Sequence, residues 1–229
     1  MERVQIHRVS VADQVAAVLR QRVLTGELRP GTALLEIQMA SAMGVSRNTM
    51  REAIRILCLE GLLKRSIHRG VAVAQLSLTD VQEIYHLRRM LEIPAILAAK
   101  NAKGDTLNEL RACLEQYEQA VEARDWMLAV TFDLQFHSML IRFHANRRLE
   151  TFYQKVLGEL RMGMVLVDRG HDDPGRLVPV HRQIYELLKA ERFKDCAALL
   201  AQHLEDSEAR LSQVMVSEEL AEKNTKAAS

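Results

Sequence analysis

Asp133 and His137 stand four residues apart in a helical stretch whose polar residues Thr131, Gln135, Ser138 and Arg142 mark the opposite side. That spacing aims both side chains inward. A buried carboxylate without a partner is costly, so Asp133 calls for a cation or a donor. His181 lies across its helix from Arg182, Gln183 and Glu186, and His203 shares a side with Cys196, Leu199 and Leu200. One carboxylate and three imidazoles, all facing inward from three helices, offer a ligand set for a divalent metal ion. The competing reading is that each is a hydrogen-bonded core residue, the ordinary state of a lone inward histidine. His144 shares the face of His137 but sits two turns on, about 10 Å along the axis by helix rise, too far to join the set. Arg88 also faces inward, with Glu92 one turn later. It is either half of a buried ion pair or an anchor for an anionic effector beside the metal. Arg161, at the rim of an apolar face, is a weaker second anchor for the effector.

A second constellation lies near the N-terminus. A helix starting at Ser46 keeps Met50, Ala53, Ile54 and Leu57 on one side and presents Asn48, Arg51, Glu52 and Arg55 on the other. Arg47 and Thr49 stand at the rims of its first turn. An arginine fork suits guanine O6 and N7, an asparagine suits adenine, and the free N–H groups at the helix start suit phosphate. Downstream, Lys64-Arg65-Ser66-Ile67-His68-Arg69-Gly70 reads as the basic tip of a hairpin, with a titratable imidazole among its cations. A thin basic projection of this kind reaches a minor groove or the adjacent backbone.

The elements that must hold these residues follow from periodicity and punctuation. Ser10 is an N-cap candidate for a helix over 10–24, and Arg29-Pro30-Gly31 makes a turn. A short helix over 35–43 stops at Gly44; the helix from Ser46 stops at Gly61. The apolar pairs Leu62-Leu63 and Val71-Ala72-Val73 flank the basic tip as two short strands. Helix, glycine turn, helix and hairpin, in that order, is the winged helix-turn-helix arrangement. From Leu78 onward the pattern is helical throughout, with six helices at about 78–101, 105–123, 125–144, 147–168, 177–190 and 193–220. Short connections favour antiparallel neighbours and therefore a bundle. The fold class expected is all-α with a small β-wing: a DNA-binding domain over 1–76, an antiparallel six-helix effector domain over 77–222, and a frayed polar tail over 223–229.

Composition agrees with two modest globular domains in a chain of 229 residues. Residues 1–75 carry 11 Lys/Arg against 6 Asp/Glu, while 76–229 carry 20 against 24. A basic first third on an acidic remainder suits contact with a polyanion. No apolar run is long enough to span a membrane, and residues 1–8 lack the apolar core of a signal peptide, so a cytoplasmic protein is expected. The 3 cysteines, Cys58, Cys113 and Cys196, are too scattered for a disulfide framework or a zinc knuckle and read as small buried apolar residues.

The first 75 residues resemble the GntR family of bacterial regulators. The resemblance rests on Leu28-Arg29-Pro30-Gly31, Glu36, Met43-Gly44-Val45-Ser46-Arg47-Asn48-Thr49-Met50-Arg51-Glu52-Ala53, Glu60-Gly61-Leu62-Leu63 and Arg69-Gly70. It implies that Arg47 and Arg51 contact bases or phosphate, Thr49 backbone or base, and Arg69-Gly70 the DNA from the wing. Ile37 departs from the pattern where some members carry a basic residue, so no contact is assigned there. The six helices resemble the FCD effector domain of the FadR subfamily through Tyr85-His86-Leu87-Arg88 with Glu92, Asp133-Leu134-Gln135-Phe136-His137 with Asn146, His181-Arg182-Gln183-Ile184 and His203-Leu204. Metal-binding members use an Asp and three His at these places, here Asp133, His137, His181 and His203, which favours that branch over the acyl-CoA-sensing one.

The expectation is a homodimeric, ligand-responsive regulator, a repressor reading a short palindrome in double-stranded DNA. Its effector would be a small organic acid bound at a divalent metal ion, with zinc the first choice and nickel or manganese compatible. The rival is a metal-dependent hydrolase or isomerase fused to a DNA-binding module. Against it, no nucleophile or general base stands out beyond the metal ligands. A third reading makes the metal a staple for the bundle.

Overall fold

The computed structural model describes residues 10–25, 27–66, 70–101, 104–167 and 174–227. The chain divides into two compact units, Met1–Gln75 and Leu76–Ser229.

In the first unit, helix α1 (Val11–Leu24) opens on a capping box. The Ser10 hydroxyl accepts the Asp13 N–H at 3.1 Å, and the Asp13 carboxylate accepts the Ser10 N–H at 3.0 Å, so two otherwise orphaned donors are satisfied. Helix α2 (Glu36–Ala42) leads through a turn to α3 (Arg47–Leu59). Gly44 makes that turn at φ +64°, a left-handed conformation that costs a residue with a Cβ and costs glycine little. Ser46 caps α3 by accepting the Thr49 N–H at 3.0 Å. Helix α1 packs on α3, and the core between them is apolar: Val15, Leu19 and Val23 from one, Met50, Ala53, Ile54 and Leu57 from the other, all buried.

The wing is a three-stranded antiparallel sheet in the order β1-β3-β2, with β1 (Ala33–Leu34), β2 (Leu63–Ser66) and β3 (Gly70–Val73). Its hairpin pairs Leu63 with Val73 and Ser66 with Gly70. The strand β1, which pairs Ala33 with Ala72 and Leu34 with Val71, was not foreseen. Two residues are too few to show a period of two, so only the partner strand reveals it.

The second unit contains six α-helices among its described residues: α4 (Leu78–Ala98), α5 (Gly104–Glu122), α6 (Trp126–Leu140), α7 (Arg147–Val167), α8 (Val178–Lys189) and α9 (Phe193–Ala227). Helix α4 lies along α9, α5 packs on α6 and α8, α6 on α7, and α8 on α9. Ser77 with Asp80 forms a capping box for α4, and Asp125 caps α6 by accepting the Leu128 N–H at 3.0 Å. Three details differ from the expectation. Helix α6 ends at Leu140 and continues as a 3-10 turn, Ile141–His144, before Ala145 turns left-handed at φ 51°. A further 3-10 turn, Pro174–Leu177, precedes α8. Pro94 sits inside α4, within the span expected for this helix. Helix α9 continues to Ala227 in place of the frayed tail expected over 223–229, because Glu, Ala and Lys dominate 218–227 and no glycine or proline stops it. In α7, a Cβ on Gly163 would stand 2.3 Å from Leu76 Cδ1, so this close approach needs glycine.

Candidate functional site

On α3 the four core positions are fully buried, which turns Arg47, Asn48, Arg51, Glu52 and Arg55 outward as exposed side chains. Asn48, Arg51, Glu52, Arg55, Cys58 and Arg65 line one groove beside strand β2. Two cations there already have carboxylate partners. Arg55 is held by Glu52 through Nε at 2.9 Å and Nη2 at 2.6 Å, and Arg65 by Glu36 at 2.7 Å. Thr49 is half-buried, its hydroxyl 2.8 Å from that of Ser46, so it works partly within the cap. Gly70 is exposed at the start of β3. His68 and Arg69, expected on the wing tip, lie outside the described residues. Cys58 is half-buried in the groove rather than a core residue, whereas Cys113 and Cys196 are buried.

In the second unit α6, α8 and α9 bring three imidazoles together. His181 Nε2 lies 3.2 Å from His137 Nε2, and His203 Nε2 lies 3.3 Å from the same atom. All three rings are buried. Their outer nitrogens fix what the inner ones offer. His181 Nδ1 sits 2.7 Å from the Leu177 carbonyl, which only accepts, so Nδ1 carries the proton. His137 Nδ1 sits 2.6 Å from Glu92 Oε2 and donates to that carboxylate. In their neutral form the rings of His137 and His181 turn Nε2 lone pairs inward, where two lone pairs cannot hydrogen-bond each other. Asp133 Oδ1 adds a fourth lone-pair donor 3.1 Å from His181 Nε2 and has no hydrogen-bond donor of its own. Ligating atoms of the three imidazoles lie within 4.8 Å of one another, a donor set that suits a divalent cation.

The electrostatics run the same way. Burial drives the His203 imidazole down to about 2, helped by the positive charge His181 and His137 would carry. Burial also lowers His137, against the pull of Glu92. For Asp133, burial acts upward but is outweighed by the imidazoles of His181, His137 and His203, and its carboxyl lies below the usual range. Burial thus favours neutral imidazoles at His137 and His203 beside an ionised Asp133, and neutral imidazole and carboxylate are the forms that ligate a metal ion. Ring packing fixes them: His137 and His203 lie parallel at 5.3 Å, and Phe136 meets His181 edge-on at 5.0 Å.

Arg88 and Glu92 form a buried ion pair at 2.8 Å, with side chains 2% and 0% exposed. Burial alone would raise the Glu92 carboxyl, but the Arg88 guanidinium and then His137 hold it down at about 2. Glu92 Oε1 also accepts from the Tyr153 hydroxyl. Arg88 has a second aspect, because its buried Nη2 makes no hydrogen bond. Arg88, Asp133, His137 and His203 line a cavity of about 40 Å³. Ser207 contributes to the same wall, and its buried hydroxyl also makes no hydrogen bond. Arg176 and Arg210 add two more guanidinium groups.

Arg161 has a buried Nε without a hydrogen-bond partner but is not among the residues lining this cavity. His144 turns away from the cluster, its Nε2 2.8 Å from the Leu91 carbonyl. Sequence reasoning missed Ser207, Arg210, Arg176 and Tyr153. The first two carried a signal, since they follow His203 by four and seven residues on one helical face.

Comparison with known proteins adds the family. Residues 11–73 match the model for bacterial regulatory proteins of the gntR family, and residues 83–206 match the FCD domain. This chain belongs to the GntR family. It is a DNA-binding transcriptional regulator rather than an enzyme. An uncharacterized HTH-type transcriptional regulator of Bacillus subtilis is 31% identical over 173 residues, which are 75% of this chain and 77% of that one. A D-xylose utilization operon repressor of Paenarthrobacter nicotinovorans is 29% identical over 188 residues, 81% of this chain and 82% of its own. The crystal structure of a GntR regulator from Rhodococcus sp. RHA1 superposes with a TM-score of 0.74 at 32% identity, covering 87% of this chain and 96% of that one. Among the described residues no helix is long and apolar enough to cross a membrane.

Proposed function

We propose that this GntR regulator is a homodimeric repressor of the metal-binding branch of the FadR subfamily, released or engaged by a small organic acid. The observation that carries the reading is the convergence of His137, His181 and His203 with the unpartnered Asp133 Oδ1 on one wall of a cavity. His137, His181, His203 and Asp133 would hold a divalent cation, zinc in the first instance. When bound, such an ion supplies Lewis-acid attraction for a carboxylate oxygen. The protein's own part is recognition: Arg88 Nη2 and Ser207 Oγ offer unsatisfied donors to the rest of the anion, and Tyr85, Met164 and Leu211 exclude water.

On the other unit, Arg47, Asn48, Thr49, Arg51 and Arg55 read bases and phosphates of a short palindrome together with Gly70 of the wing, and the same role is assigned to His68 and Arg69 from the sequence. Two-fold pairing of the chains matches two half-sites. The effector shifts DNA affinity by as much as it prefers one arrangement of the protein over the other. Naming the relative as a xylose-operon repressor supports the sign of regulation.

The test is a thermal-shift screen of small carboxylic acids on the zinc-loaded full chain, followed by fluorescence anisotropy on a duplex selected from a random pool. An acid that raises the melting temperature and changes the dissociation constant for that duplex is the expected result. An acid that stabilises the chain yet leaves DNA affinity untouched would reduce the bound ion to a staple.

A further inference from the structure

Glu92 uses both carboxylate oxygens on different partners. Oε2 accepts from His137 Nδ1 at 2.6 Å, while Oε1 accepts from Arg88 Nε at 2.8 Å and from the Tyr153 hydroxyl. The side chain is fully buried, so no water can substitute for it. His137 in turn aims Nε2 at the other two imidazoles, and Arg88, a residue of the cavity wall, keeps Nη2 without a hydrogen bond.

We propose that Glu92 is a positioning residue: one carboxylate fixes the tautomer of His137 and the orientation of Arg88 together, so that cation-facing and anion-facing groups are set by a single side chain. It rests on the metal-site reading above. The chemistry is specific. A glutamine has the same shape but one acceptor and one donor end. Arg88 Nε–H can only donate, which draws the amide oxygen to that side. The amide NH2 then meets His137 Nδ1, which must become an acceptor, and the ring proton moves to Nε2, where it blocks the lone pair. A partner that orients a ligating histidine in this way is worth about 10–100-fold in metal affinity.

The experiment compares wild type, Glu92→Gln and the double variant Arg88→Met/Glu92→Leu as full chains. Zinc affinity is read by chelator competition, and histidine tautomers in the metal-free chain by nitrogen-15 NMR. Both variants are expected to bind zinc about 10–100-fold more weakly than wild type. In Glu92→Gln, where Arg88 fixes the amide's orientation, one imidazole moves from the Nδ1–H to the Nε2–H form. The double variant removes the buried guanidinium, so folding defects from an uncompensated Arg88 are separated from the effect on His137. Wild-type zinc affinity in the double variant would overturn the proposal, since Glu92 would then merely neutralise Arg88. An unchanged tautomer in Glu92→Gln would overturn it as well. A wild-type chain that takes up no zinc, with the tautomer change still seen on going to Glu92→Gln, would sink the metal reading and leave the positioning of His137 intact.

Discussion

Two arginine–glutamate pairs at helical spacing carry opposite meanings in this molecule. Arg55 and Glu52 on α3 meet at 2.6 Å with side chains 59% and 48% exposed, whereas Arg88 and Glu92 on α4 meet at 2.8 Å with 2% and 0% exposed. In water the first pair is screened and can be exchanged for a phosphate at little cost. In the interior neither member of the second can lose its partner without leaving a bare buried charge. The face that must let go of its ligand is built from exposed charge. The centre that must hold a fixed geometry is built from buried charge.

The sharpest way to break this contrast is to remove one buried member. Arg88→Met leaves Glu92 without its guanidinium and is expected to destabilise the chain by about 3–5 kcal/mol, read by urea unfolding. A loss near zero would mean that the interior pair is as dispensable as the surface one.

Acid probes the same interior more gently. His203 is held neutral by burial, its value lowered from 6.5 to about 2, so below pH 6.5 the unfolded chain takes up a proton that the folded chain refuses. Glu92 is lowered from 4.5 to about 2, first against burial and then by Arg88, so its contribution is present above pH 4.5 and is lost toward pH 2. Both make stability rise with pH. The melting temperature of the metal-free chain should therefore fall steadily from pH 7 to pH 4. A flat profile would show that these groups exchange freely with solvent.

On the exposed side, Arg51→Ala should weaken binding to the selected duplex by about 1–3 kcal/mol and relax base preference at one position, measured by anisotropy against variant duplexes. Zinc content should not change. Operator affinity equal to wild type would remove α3 from the recognition role. The smallest effect is expected for Glu52→Gln, which should leave the melting temperature unaltered because both partners are solvated. A large drop there would erase the distinction between the two pairs.

Much of this organisation was legible in the sequence. The 3.6-residue period put Met50, Ala53, Ile54 and Leu57 on one side of α3 and the arginines on the other, and burial follows that division. The same period turned Asp133, His137, His181, His203 and Arg88 inward, and all five are buried. What periodicity gives is direction, not distance. The meeting of three Nε2 atoms depends on how α6, α8 and α9 pack, which no single helix encodes. The double use of Glu92, the Tyr153 hydroxyl on its oxygen and the cavity position of Ser207 are likewise products of packing. Strand β1 escaped because two residues have no period. The switch from α-helix to 3-10 turn at Ile141 escaped because apolar residues continue through it, and Arg161 stays off the cavity wall because a rim position says nothing about what the neighbouring helix covers.

The account stands most directly on whether the three imidazoles and Asp133 take up a divalent ion. Titrating the metal-free full chain with cobalt(II) and following its visible absorption answers this. A saturating band at one ion per chain, without a thiolate charge-transfer feature and abolished in His137→Ala, is the expected result. A wild-type chain that gives no saturable band, or a His137→Ala chain that binds as tightly as wild type, would contradict it.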